Sequence, residues 1–168
     1  MKIIQGNIFD LSLEPDAICF TTSHSIEGNE VLIHSPSAQT VHKNMPNVAR
    51  KLADALLPDI WVQCIPVDEI KGIQLVSFQT KPVKLAFLDE ESAKFLHGTK
   101  PQLGDFYPGY RGVSYNYVCS LAAKKLAKLA TEKGWKRVVL PVPDDCDLEK
   151  VLPFIKEHLD DRFIMIED

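Results

Sequence analysis

At 168 residues, with 45% hydrophobic and 25% charged side chains, the chain has the size and composition of one soluble globular domain. Its formal net charge of −4 argues against a general nucleic-acid binder, which carries a basic surface. No apolar run approaches the ~20 residues of a membrane span. The opening MKIIQGNIFD lacks a signal peptide's apolar core, so a cytoplasmic protein with no membrane partner is expected.

Taken in chain order, the first element is KIIQG, a short apolar strand closed by glycine. DAICFTT, rich in β-branched and aromatic residues, is the second strand. SAQTVHKNMPNVARKLADALL follows as helix, broken near Pro46, with Val48, Leu52, Ala55 and Leu56 at helical spacing. IWVQCIPV and IQLVSFQT are two β-rich runs, and DEIKG between them has turn chemistry.

Residues 83–112 are the least regular part, punctuated by Pro101, Pro108 and glycines. They are expected to form a long ordered loop or insertion, with a short helix at DEESAKFL. VSYNYVCSLAAKKLAKLATEKG is the clearest helix. Ser114 can cap it, Val118, Leu121, Ala122, Leu126, Leu129 and Ala130 form its apolar face, and Gly134 stops it. Strand KRVVLPV, helix LEKVLPFIKEHL and strand RFIMIE complete the chain. This alternation predicts a single α/β domain over 1–168, a mixed sheet with helices on both faces. Ligands of such sheets sit beyond the carboxyl ends of the strands.

The cysteines, Cys19, Cys64, Cys119 and Cys146, are scattered without a CxxC pair, and no histidines join them at zinc spacing. Reduced thiols are expected, with no metal and no cofactor.

Several short motifs, in this order, resemble the macro-domain family of ADP-ribose binders and ADP-ribosyl hydrolases. IIQGNIFD resembles the turn after that family's first strand, with Asn7 where an aspartate holds adenine and Ile8 beside it. An amide oxygen accepts the same hydrogen bond without the charge. DAICFTTS resembles the second strand, ending at Ser23, and SIEGNEV falls where the family has a glycine-rich loop, of which only Gly28 is kept. VSFQTKP resembles a strand ending in Thr-Lys, and SYNYVCSLAAKKL the helix that follows.

The resemblance is to the branch that removes ADP-ribose from protein carboxylates or DNA bases. It implies a macro-like three-layer α/β/α fold with a mixed central sheet. It also implies that Lys81 is a nucleophile toward the distal ribose. LPVPDDCDLEKV stands where the family has a Gly-x-Gly-Leu-Asp diphosphate loop, so Asp147 is the implied general acid or base, with Asp144 and Asp145 at the diphosphate.

Each residue also has a plainer role. Lys81 reads as a solvated lysine at a strand end, Asp147 as a helix N-cap, Asn7 as a turn former, and Ser23 and His24 as ordinary loop residues. Phe106, Tyr107, Tyr110 and Arg111 serve either to stack on a base and meet phosphate or to anchor their loop. Lys124, Lys125 and Lys128 read as a solvated helix face. The last loop has no glycine and three carboxylates, which repel a diphosphate.

The expected function is therefore binding of ADP-ribose or a related nucleotide, with removal of ADP-ribose from a macromolecule through Lys81. Two alternatives stand beside it. One is a protein-interaction domain on a degenerate macro fold. The other is a metal-dependent nucleotide phosphatase.

Overall fold

The structure is a computed structural model. It describes residues 1–57, 62–81, 84–86, 106–108, 115–143 and 147–167, and of 84–86, 106–108 and 115 the backbone alone.

A six-stranded sheet runs in the order β1 (Lys2–Gln5), β10 (Phe163–Glu167), β9 (Val138–Pro141), β2 (Ala17–Thr22), β6 (Ile73–Gln79), β5 (Cys64–Ile70). Neighbours from β1 through to β6 are parallel, and β5 is antiparallel to β6. The five parallel strands therefore all end on one edge of the sheet. The chain leaves that edge at Asn7, Ser23, Lys81 and Val142.

The central strands carry apolar residues on both sides, because both faces of the sheet are covered. One face buries Cys19, Val76, Phe78, Leu140 and Phe163 under α3 (Tyr115–Lys133) and α4 (Leu148–Lys156). The other buries Ile18, Phe20, Leu75 and Val139 under α1 (Pro36–Asn44) and α2 (Val48–Ala55). The expected mixed sheet between two helical layers is what forms. β1 differs from its apolar composition, since all four of its residues are exposed at the sheet edge.

Asn44 and Val48 bracket the expected break at Pro46. Gly134, at φ +70, ends α3 as its sequence predicts, with Trp135 N–H returning to Ala130 O at 2.9 Å. The turn expected at DEIKG is shorter than that. Asp68–Ile70 belong to β5, and only Lys71 and Gly72, both at positive φ, make the hairpin loop. Two such residues suffice because a primed turn matches the twist of the strands it joins. Pro66 is tolerated in β5 because β5 is an edge strand.

Sequence periodicity did not reveal a second, four-stranded sheet, β4 (Glu30–Val31), β3 (Ile26–Glu27), β7 (Lys84–Ala86), β8 (Phe106–Pro108). Its strands are two or three residues long, too short to show an alternation. Two ends of the expected 83–112 loop are thus strands. The helix expected at DEESAKFL lies outside the described residues, as do Ser114, Tyr110 and Arg111.

Candidate functional site

β2 and β9 pair only at Ala17↔Val138 and Ile18↔Val139, although β2 runs on to Thr22 and β9 to Pro141. The two strands part toward the carboxyl edge. α1 takes up what β9 leaves. Thr21 N–H donates to Ser37 Oγ at 3.0 Å, and Ser35 Oγ donates to Thr21 O at 2.6 Å. Ser35 is also the N-cap of α1, accepting from Ala38 N–H at 3.1 Å, with Pro36 at the first helical position. The split between β2 and β9 is thus flanked by the positive end of a helix dipole.

The other side of β2 stays paired with β6 throughout, and Thr80 N–H extends the ladder to Thr22 O at 3.0 Å. Lys81 is the next residue, half-buried, at the edge. The end of β9 and Lys81 thus lie to either side of the Thr21–His24 turn.

His24 sits at φ +54 in that turn and is 1% exposed. Its Nε2 shares a hydrogen bond with Ser77 Oγ at 2.8 Å, and Ile65 N–H donates to the same oxygen at 3.2 Å. Among the described residues, Nδ1 has no hydrogen-bond partner. Burial pushes the ring's pKa down to about 3, against a smaller opposing pull from the Gln79 side chain. The imidazole is neutral at physiological pH. None of the buried polar side chains among the described residues is an acid or a lysine or arginine, and most lie at this edge.

The remaining residues singled out by sequence take distinct places. Asn7 Oδ1 accepts from Phe9 N–H at 2.8 Å, a local turn bond, and its residue is exposed at the end of β1. Ile8 is buried in the core beneath α1 and α2. Ser23 Oγ donates to Ser25 Oγ at 2.9 Å beside His24. Gly28, at φ +67, is at the exposed tip of the β3–β4 hairpin, where the turn itself requires it.

Asp147 holds the N-cap position of α4 without making a side-chain cap bond; its carboxylate pairs with Lys150 Nζ at 2.7 Å. The Lys150 ammonium holds the Asp147 carboxyl below the usual carboxylate range. Asp144 and Asp145 lie outside the described residues. On the helix face, Lys125 Nζ donates to Val62 O at 2.6 Å and Lys128 pairs with Glu132.

Sequence reasoning missed Ser35, Ser37, Gln63, Ser77 and Gln79 as parts of this edge. SPS before an apolar helix was the available signal for the first pair, an N-cap followed by proline.

No family model and no curated protein sequence matches the chain. Solved structures do. The macrodomain of Thermus aquaticus DarG superimposes with a TM-score of 0.58 at 12% identity, over 99% of this chain and 97% of that one. The fold is macro-like. The macrodomain of Mycobacterium tuberculosis DarG matches with a TM-score of 0.55 at 12% identity, over 99% and 97% of the two chains. The alphavirus P23pro-zbd structure matches at 0.54 and 12% identity, with 98% of this chain covering 21% of that one. Where the resemblance leads one to expect a glycine-rich loop, this macro-like fold carries the β3–β4 hairpin and the second sheet. No helix among the described residues is long and apolar enough to cross a membrane.

Proposed function

We propose that the chain binds ADP-ribose or a closely related nucleotide at the carboxyl edge of the sheet and removes ADP-ribose from a macromolecule. The observation that carries this reading is the convergence at the parted ends of β2 and β9. Lys81 after β6 on one side, the end of β9 at Pro141 on the other and the start of α1 beside β2 lie on one edge. Ligands of parallel sheets bind at such a place, and the macro-like fold supports the choice of ligand.

In this reading the amine of Lys81 attacks the anomeric carbon of the distal ribose. A carbon–nitrogen bond forms as the glycosidic bond breaks, and the leaving group takes up the proton shed by the attacking nitrogen. Water then releases the ribose and frees the amine. Asp147, kept ionised by Lys150, suits the base that activates this water better than the acid that protonates the leaving group.

The test is twofold. Calorimetry with ADP-ribose is expected to show saturable binding; its absence would leave the protein-interaction alternative as the better reading. An oligonucleotide carrying ADP-ribose on a base, and a peptide carrying it on glutamate, serve as turnover probes. Lys81→Ala is expected to abolish release from whichever probe is used while leaving ADP-ribose binding measurable. Undiminished release by Lys81→Ala would rule out the nucleophile.

A further inference from the structure

Two glutamine amides lie in series between the end of α2 and Lys81. Gln63 is 8% exposed and Gln79 is 0% exposed. The Gln63 side chain pairs with the backbone of Leu57 as a strand neighbour would: Oε1 accepts from Leu57 N–H and Nε2 donates to Leu57 O, both at 3.0 Å. Gln63 N–H then donates to Gln79 Oε1 at 3.0 Å. Gln79 Nε2 in turn donates to the carbonyl oxygen of Lys81 at 2.9 Å.

A fully buried glutamine at the end of an apolar strand needs a reason. Burying an amide costs free energy unless both its ends are hydrogen-bonded, and an aliphatic residue would fill the same space without that demand. Gln79 meets the demand by binding backbone on both sides. One of those groups belongs to the residue just past the sheet. The ladder between β2 and β6 ends with Thr80 N–H donating to Thr22 O at 3.0 Å. The residue after Lys81 is Pro82, which has no N–H to continue it. The carbonyl of Lys81 is therefore held by a side chain where the ladder stops.

We propose that Gln79 is a positioning residue for Lys81: its amide fixes the peptide on which Lys81 leaves the sheet, and so the direction in which the amine is presented at the carboxyl edge. The proposal rests on the reading of Lys81 as the reactive amine. A nucleophile has to reach ~3–3.5 Å from the carbon it attacks, and a misplacement of about 1 Å costs on the order of a hundredfold in rate. The relay through Gln63 extends the same hold to α2, so the strand end, the helix end and Lys81 share one frame.

The test compares Gln79→Met with the wild type and with Ile155→Val, a core change on the buried face of α4 that lowers stability by about 1 kcal/mol, about two turns along the helix from Asp147. On the ADP-ribosylated oligonucleotide or peptide, Gln79→Met is expected to lower kcat by about tenfold to a hundredfold with KM little changed, and Ile155→Val to leave both unaltered. Gln79→Glu, which keeps an acceptor for Gln63 N–H, is the second variant should Gln79→Met fail to fold. Wild-type kcat in a folded Gln79 variant overturns the proposal.

If the wild type releases ADP-ribose from neither probe, the hydrolase reading fails and a second arm decides the positioning claim. The rate at which an N-hydroxysuccinimide ester acylates Lys81, read by mass spectrometry against Lys128 as internal reference, is expected to change by about threefold or more in the Gln79 variant as the strand end loosens. An unchanged ratio overturns it.

Discussion

His24 and Ser77 are 53 residues apart and share a 2.8 Å hydrogen bond beneath the carboxyl edge, tying the turn after β2 to the middle of β6. Because the ring is buried and neutral, this link is sensitive to acid. The folded state resists protonation down to about pH 3, whereas the unfolded chain takes the proton near the ordinary value of 6.5. Below pH 6.5 the unfolded state therefore binds more protons, and stability falls as pH falls through that window. The limiting slope is about 1.4 kcal/mol per pH unit. His24→Asn tolerates the positive φ and cannot titrate. Urea melts of both proteins between pH 7 and 4 should show a shallower acid loss in the variant; parallel curves would refute the assignment.

Asp16 fastens the opposite edge of the same sheet. Its Oδ2 accepts from Lys136 N–H at 2.6 Å and from Arg137 N–H at 2.9 Å, which joins the start of β2 to the start of β9. Bonds to a charged acceptor contribute about 1.5–3 kcal/mol, so Asp16→Ala is expected to lose that order of stability in chemical denaturation. ADP-ribose affinity of the folded variant should be unchanged, since the carboxyl edge is left intact.

Gly72 occupies φ +82 in the hairpin between β5 and β6, with no atom within 4 Å of where a Cβ would stand. The cost of Gly72→Ala is then conformational alone, about 1–2 kcal/mol for an L-residue in the left-handed region. A matching shift in the urea midpoint with an unchanged m-value checks this. A cost near zero would mean the turn relaxes to another type.

Asp147 pairs with Lys150 at the surface, where solvent and salt screen the attraction and leave it little weight in stability. Asp147→Asn should therefore barely alter the melting temperature. Its effect on turnover should be far larger, about a hundredfold or more if it activates the water. Equal, small effects on both would return Asp147 to a purely structural role at the head of α4.

The layered architecture was legible because periodicity reports it directly. Val76, Phe78, Leu140 and Met165 are apolar because both faces of the sheet are covered, and buried strands read as near-continuous apolar runs. The break at Pro46 and the stop at Gly134 were legible for equally local reasons, a missing N–H and a left-handed cap. The motif order also placed Lys81 and Asp147 past strands that do end on one edge.

What one residue type cannot disclose is its partner. Nothing in HSPSAQT says that Ser35 and Ser37 replace β9 along β2. Nothing in VSFQTKP says that Gln79 reaches both Gln63 and Lys81. A buried polar group can only be read once the chain has closed around it, since its hydrogen bonds are made to residues remote in sequence. The sequence by itself determined the layers and that Lys81 and Asp147 follow strands ending on one edge. Only the tertiary structure decided how β2 and β9 part, which amide holds Lys81, and that His24 is buried and uncharged, because each depends on contacts between segments that no local pattern encodes.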